Sequence, residues 1–162
     1  MIIIAHRGLL EGPDRQLENQ PEQVIKALNM GFDVEIDVWA LNDRFYLGHH
    51  ELPFLEVNME FLKHPGLWLH AKNLDVMYAL NSTPGMNWPN FFYHNTDSHT
   101  LTSGGYIWTY PGFQLSPDSV FVMPETLGNL SEVFHKWKLK EKNSCYAVCT
   151  DYAILVDKLL NT

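Results

Sequence analysis

Short apolar runs of strand length recur along the whole chain, and most of them are separated by stretches with helical apolar spacing. IIIA (2–5), FDVEIDV (32–38), FYLG (45–48), LWLHAK (67–72), FFYH (91–94), YIWTY (106–110), SVFVM (119–123) and CYAVCT (145–150) read as strands. Between the first two, ENQPEQVIKALNMG reads as a helix. Pro21 suits its first turn, Val24, Ile25 and Leu28 form an apolar stripe, and Gly31 suits its stop. LEVNMEFLKHPG is expected to be a second helix, ended by Pro65 and Gly66. Asn73 caps LDVMYALN, which an STPG turn closes, and TLGNLSEVFHKWK and DYAILVDKLL supply the last two helices. Strand followed by helix, repeated, predicts an α/β protein with a mainly parallel sheet. An open doubly wound sheet and a closed barrel both satisfy that pattern. Eight strand–helix units in 162 residues leave about 20 residues each, against the ~250 residues of a full barrel. A barrel here must have lost helices, and Trp88 to Pro117 offers strands with no clear helix between them.

No repeat, charge block or linker divides the sequence, so residues 1–162 are expected to form one domain. The formal charge is −8, from 11 Lys and Arg against 19 Asp and Glu. A surface of that sign repels nucleic-acid backbones and anionic lipid, which excludes broad polyanion binding; an anionic substrate needs a local cation. Ile2–Ile4 is too short for a signal-peptide core and no run approaches a membrane span, so the expectation is a soluble, cytoplasmic protein with no stable membrane insertion. If SCYAVCT is a strand, Cys145 and Cys149 lie about 13 Å apart along it, beyond disulfide reach, and are expected as reduced thiols.

Chemistry concentrates in FDVEIDVWALNDRFYLGHHE. Glu35 and Asp37 are two apart in a strand and share a face, while Val34, Ile36 and Val38 take the other. Paired carboxylates on an inward face repel one another, and burial adds to the cost. A divalent cation removes both problems; an exposed edge strand with solvated acids is the alternative. In LWLHAK, alternation places Trp68, His70 and Lys72 on one face and Leu67, Leu69 and Ala71 on the other. His70 and Lys72 lie toward the C-terminal end of that strand, the end at which α/β sites form. Glu125 reads either as a pocket-rim acid or as one offsetting a helix dipole. Trp108 and Tyr110 read as pocket wall or core, and Phe134 and Trp137 as core. His94 and His99 fall in a polar stretch, FYHNTDSHT, that reads as a solvated loop, although their spacing could suit a transition metal.

HRG at 6–8, LENQ at 17–20, EID at 35–37 and GHHE at 48–51, with fourteen residues from Glu35 to His49, resemble the motifs of the glycerophosphodiester phosphodiesterases. These are relatives of the phosphatidylinositol-specific phospholipases C. The motifs cover roughly the first third of the chain, and CTDY (149–152) is similar to the Thr-Asp-Tyr-Pro of that family's last strand. The resemblance implies an abbreviated TIM-type (β/α) barrel with some helices shortened or missing. It also implies a phosphoric diester hydrolase of lipid metabolism acting on a small-molecule phosphodiester. His6 and His49 would be the general acid/base pair, Arg7 and Lys72 would bind phosphate, and Glu35, Asp37 and His70 would hold a divalent cation, Mg²⁺ or Ca²⁺. No other cofactor is implied.

The chain departs from the family pattern at three places. Leu17 stands where the family has proline, and His50 stands where it has an aspartate after the second histidine, which leaves His49 and His50 both open as the acting residue. His70 stands where the family has the third metal-binding glutamate. Imidazole brings no charge and suits Mg²⁺ or Ca²⁺ less well than carboxylate, so His70 either ligates or hydrogen-bonds Asp37. Two alternatives to the hydrolase follow. One is a metal-independent, phospholipase C-like lyase using the same histidines. The other is a non-catalytic barrel that binds a phosphorylated ligand. Lost helices would also expose apolar barrel wall, an opening for self-association.

Overall fold

In a computed structural model the described residues are 1–49, 55–83, 86–141 and 145–161, without the side chains of 138–141. His50 and Glu51 of GHHE, and Pro84 and Gly85 of the expected STPG turn, lie outside them.

The strands are β1 (Ile2–His6), β2 (Asp33–Leu41), β3 (Arg44–Leu47), β4 (Leu55–Val57), β5 (Leu67–Ala71), β6 (Asn90–Phe92), β7 (His99–Leu101), β8 (Ile107–Thr109), β9 (Ser119–Val122) and β10 (Ala147–Thr150). The helices are α1 (Pro21–Asn29), α2 (Met59–Leu62), α3 (Leu74–Asn81), α4 (Leu130–Glu141) and α5 (Ala153–Asn161), with a 3-10 turn over Pro124–Leu127. Seven strands run parallel in the order β6-β5-β2-β1-β10-β9-β8. β3 and β4 extend the far end of β2 antiparallel, and β7 pairs antiparallel with β8. The chain's first and last strands are neighbours, with Ala5 opposite Thr150.

Strand alternation sorts the core into two layers. Ile3, Ala5, Val34, Ile36, Leu67, Leu69, Phe121 and Val148 face outward and pack against Val24, Val76, Phe134, Trp137 and Val156 of the helices. Ile4, Trp68, Phe92, Trp108, Val120, Val122, Ala147 and Cys149 face inward and pack on one another. Trp68 of β5 and Trp108 of β8 are far apart in strand order, yet their ring centroids are 6.1 Å apart. The sheet therefore curls around these rings. Among the described residues no ladder joins β6 to β8. Instead Phe92 stacks on Trp108 at 4.4 Å across that seam, and Ser103 covers the edge of β6. The Ser103 N–H donates to the Phe91 carbonyl at 2.8 Å, and its hydroxyl accepts from the Phe91 N–H at 2.9 Å. The result is a mixed α/β protein with a curled, mainly parallel sheet.

Several local expectations change. Leu55–Val57 is a strand rather than the start of a helix, because Phe45, Tyr46 and Leu47 offer it a free edge; the helix is only Met59–Leu62, capped by Asn58. The polar FYHNTDSHT stretch runs from the end of β6 into β7, which pairs with β8 through His99–Leu101. TLGNLSEVFHKWK begins in the 3-10 turn and becomes α-helical only from Leu130. No helix lies between β6 and β9 among the described residues, and there a groove of about 840 Å³ is lined by Met77, Leu80, Trp88, Phe91 and Leu101, among others. Cys145 and Cys149 are both buried, and no disulfide joins them. Among the described residues no helix is long and apolar enough to cross a membrane.

Candidate active site

The register of β1, β2 and β5 builds the centre. His6 lies opposite Glu35 and Asp37 lies opposite His70, so residues distant in sequence become neighbours on one face. Glu35 and Asp37 are 1% and 0% exposed, which would be prohibitive for isolated carboxylates. Their surroundings compensate. Asp37 Oδ2 lies 2.9 Å from Arg7 Nε and 2.9 Å from His49 Nδ1, and accepts from Asn19 Nδ2 at 3.0 Å. Asp37 Oδ1 lies 3.0 Å from His70 Nδ1 and 3.3 Å from Lys72 Nζ. Burial pushes the Asp37 carboxyl up, but bonds to His49 and His70 and the charges of Arg7 and Lys72 outweigh it and hold it well below the usual range. Glu35 is lowered too: burial and the Asp37 charge oppose ionisation, and His70 and His6 reverse the balance.

His6 ends β1, and there the chain turns sharply, with Arg7 at φ 52° and Gly8 at φ 79°. Arg7 is thus a non-glycine residue in the left-handed region, a strained backbone of the kind concentrated at functional sites. The turn aims the Arg7 N–H at Glu35 Oε2, 3.2 Å away, and Gln23 Nε2 secures it by donating to the Gly8 carbonyl at 2.9 Å. His6 Nδ1 lies 2.7 Å from Asp151 Oδ1, so the network assigns its proton to Nδ1 and leaves Nε2 facing Glu35 Oε2 at 3.8 Å. Burial pulls the His6 pKa down, but the Asp151 hydrogen bond and the Glu35 charge carry it above the ordinary value.

Asp151 is itself braced. Glu125 accepts the Asp151 N–H at 2.7 Å and the Thr150 hydroxyl at 2.9 Å. Glu125, in the first turn of the Pro124–Leu127 segment as a helix N-terminal acid, thus also ties that segment to the end of β10.

The Arg7 guanidinium spans the site. NH1 donates to Glu18 Oε2 at 2.8 Å, and NH2 lies 2.8 Å from His49 Nδ1 and 2.9 Å from Nε2. With the His49 Nδ1 proton directed to Asp37, Nε2 is the nitrogen that accepts from Arg7. Asn19, at φ 58°, donates to the Asp37 carboxylate and accepts the Asp37 N–H at 2.9 Å. Asn lowers the cost of that left-handed position.

On the other flank the His70 ring is stacked by Phe92 at 5.0 Å and by His94 at 4.6 Å. Burial lowers the His70 pKa, and its bonds to Asp37 and Glu35 more than restore it. His94 does lie in a loop, between the exposed Tyr93 and Asn95, but its own ring is half-buried against the site. Its Nε2 pairs with the Tyr110 hydroxyl at 3.2 Å, and burial plus the His70 and Lys72 charges lower it to about 4. His99 is engaged separately, with Ser98 and the Gln114 carbonyl. Trp108 is core, while Tyr110 lines the site.

All seven side chains singled out from the sequence, His6, Arg7, Glu35, Asp37, His49, His70 and Lys72, lie in this one cluster. The remaining contributors had weaker signals. Asp151 sits in the CTDY echo and Asn19 and Glu18 in LENQ, whereas His94 and Tyr110 carried none that separated them from loop or core. His70 Nε2 and His94 Nδ1 are buried with no polar partner, whereas Arg7 Nε and Asp37 Oδ1, although they make no aligned hydrogen bond, lie in the ion pairs given above. Glu35, Asp37 and His70 each offer an atom within 4.8 Å of the others, a spacing that suits a divalent ion. Such triads also exist without one, and here Arg7 and Lys72 already offset the Asp37 charge. No protein-family model, curated protein or solved structure matches this chain.

Proposed function

We propose that the protein cleaves phosphodiesters, with His6 and His49 as the acid/base pair. One observation carries this: two imidazoles, each held by its own carboxylate, 2.7 Å for His6–Asp151 and 2.9 Å for His49–Asp37, border the same Arg7–Glu35 junction. A pocket that only bound phosphate would need cations, not two imidazoles fixed in defined tautomers. The finer fold follows from the same proposal, as an abbreviated TIM-type barrel whose site sits at the strands' C-terminal ends.

A phosphoryl group entering beside Arg7 takes its NH2 donor, and Lys72 supplies a second positive charge. His49 Nε2 can then accept the proton of the attacking hydroxyl, from water or from the substrate itself, as the new O–P bond forms. His6 enters the step as the doubly protonated imidazolium that its raised proton affinity favours. It keeps its Nδ1 proton on Asp151 and gives its Nε2 proton to the departing alcohol as the old P–O bond breaks. Asp151 and Asp37 keep the two rings oriented throughout. A divalent ion held by Glu35, Asp37 and His70 would supply positive charge at the non-bridging oxygens. The Arg7 and Lys72 contacts with Asp37 favour a second version, in which those cations meet the same need without an ion.

Purified protein is expected to hydrolyse bis(p-nitrophenyl) phosphate or glycerophosphocholine, and His6→Ala or His49→Ala to lower kcat by about 10² to 10⁴. EDTA slows the reaction in the metal-assisted version and leaves it unchanged in the metal-free one. Activity persisting in the double histidine variant ends the proposal.

A further inference from the structure

His70 makes its polar contacts at one edge only. Its Nδ1 faces Asp37 and Glu35 at 3.0 and 3.5 Å, while its Nε2 is buried without a partner. A ring pinned at one nitrogen can swing or flip, and either motion moves Nδ1 away from the carboxylates. What fixes its plane is stacking, by Phe92 with planes 10° apart and by His94 with planes 14° apart.

These two rings are secured differently. Phe92 is a fully buried core residue that leans on Trp108. His94 lies two residues beyond it, past the end of β6, where no strand ladder holds the chain. Its anchor is the Tyr110 hydroxyl, 3.2 Å from Nε2, with the rings edge-on at 5.1 Å. Tyr110 in turn lies past the end of β8, fixed by its N–H to the Ser98 carbonyl at 3.0 Å. Phe92–Trp108 and His94–Tyr110 are thus successive cross-links over the same unladdered seam, and the second abuts the carboxylate cluster. A phenyl ring at 94 would also stack on His70 and would leave no buried polar nitrogen. What imidazole adds is the hydrogen bond to Tyr110.

We propose that His94 and Tyr110 form a positioning pair, which closes the seam between β6 and β8 and sets the plane of His70 against Glu35 and Asp37. Neither is a catalytic residue. The pair's value to turnover rests on the phosphodiesterase proposal above, but its effect on the His70 ring does not.

The test uses ring-nitrogen NMR on EDTA-treated protein, with diester kinetics alongside. Wild type is expected to show one His70 tautomer with an Nδ1–H protected from solvent exchange. Tyr110→Phe, which removes only a hydroxyl, and His94→Phe, which keeps the stack, should each broaden that signal. Each should also lower kcat about 3- to 10-fold with KM within twofold, and the double variant should be no worse than the weaker single. His94→Leu, which loses the stack as well, should abolish the protection while circular dichroism stays native. An unchanged His70 signal in a folded His94→Leu protein overturns the proposal, as do losses in kcat that multiply in the double variant. A wild-type protein that cleaves no diester refutes the functional proposal, and the NMR comparison still decides the positioning one.

Discussion

Replacing Asp37 by Asn leaves the side chain's shape and removes its charge, so it isolates what that carboxylate does for the fold. Arg7 Nε at 2.9 Å and Lys72 Nζ at 3.3 Å are both within ion-pair reach of it. At an effective dielectric near 20 each pair has a gross attraction of about 5 to 6 kcal/mol, and part of this is offset by desolvation and by repulsion from Glu35. The amide also has to turn an NH₂ toward groups that are donors themselves. Removing one partner from a buried ion cluster costs about 3–5 kcal/mol. For a chain of this size that is a fall in melting temperature of roughly 6–20 °C at about 2–4 °C per kcal/mol. Urea denaturation and thermal melts of EDTA-treated wild type and Asp37→Asn near pH 6.5 measure it directly. A variant within 1 kcal/mol of wild type, or more stable, would mean that Glu35–Asp37 repulsion cancels the cations. The carboxylates would then be held against their own strain, and attraction to Arg7 and Lys72 would not be what stabilises the cluster.

Two further outcomes follow from the same contacts. Asp151→Asn keeps an acceptor oxygen beside His6 but loses the charge; because charge-assisted bonds are roughly twice as strong as neutral ones, kcat on a diester should fall about tenfold with little change in melting temperature. An unaltered kcat would remove Asp151 from the site. Stability should also depend on pH. His6 and His70 bind their protons more tightly when folded, so their contribution is complete below about pH 6.5 and is lost as pH rises through their folded values. His94, lowered to about 4, does the reverse, since the unfolded chain gains a proton there as pH falls below about 6.5. Asp37, held low, contributes above about pH 4 and is lost in stronger acid. The urea midpoint of EDTA-treated protein should therefore peak near pH 6.5 and decline toward both 8 and 4.5; a midpoint that climbs from 6.5 to 8 contradicts the histidine assignments.

Alternation in LWLHAK and FDVEIDV was enough to place Glu35, Asp37, His70 and Lys72 on one face of their strands and the aliphatic residues on the other, because side-chain direction in a strand is a local property of period two. Helical apolar spacing with Pro21 and the Asn73 cap likewise located α1 and α3, and the short apolar run Ile2–Ile4 put His6 and Arg7 at a strand end. What period two cannot specify is which strand lies beside which. The parallel pairing of β10 with β1 brings Asp151 to His6, and the pairing of β2 with β5 brings Asp37 to His70; both are decided by registers between segments far apart in sequence. The fate of Leu55–Val57 and His99–Leu101 is of the same kind, since their pattern is ambiguous and a neighbouring free edge settles it. His94 shows the limit most plainly. Between Tyr93 and Asn95 nothing local distinguishes a fully solvated histidine from one half-buried against a site, and only the curl of the sheet around Trp68 and Trp108 carries it to His70 and Tyr110. The chain's own pattern determined most of its strands and helices and the central side chains of the site. Which of those side chains face one another was decided by long-range packing, because burial of the inward rings, and no local preference, selects how far the sheet curls.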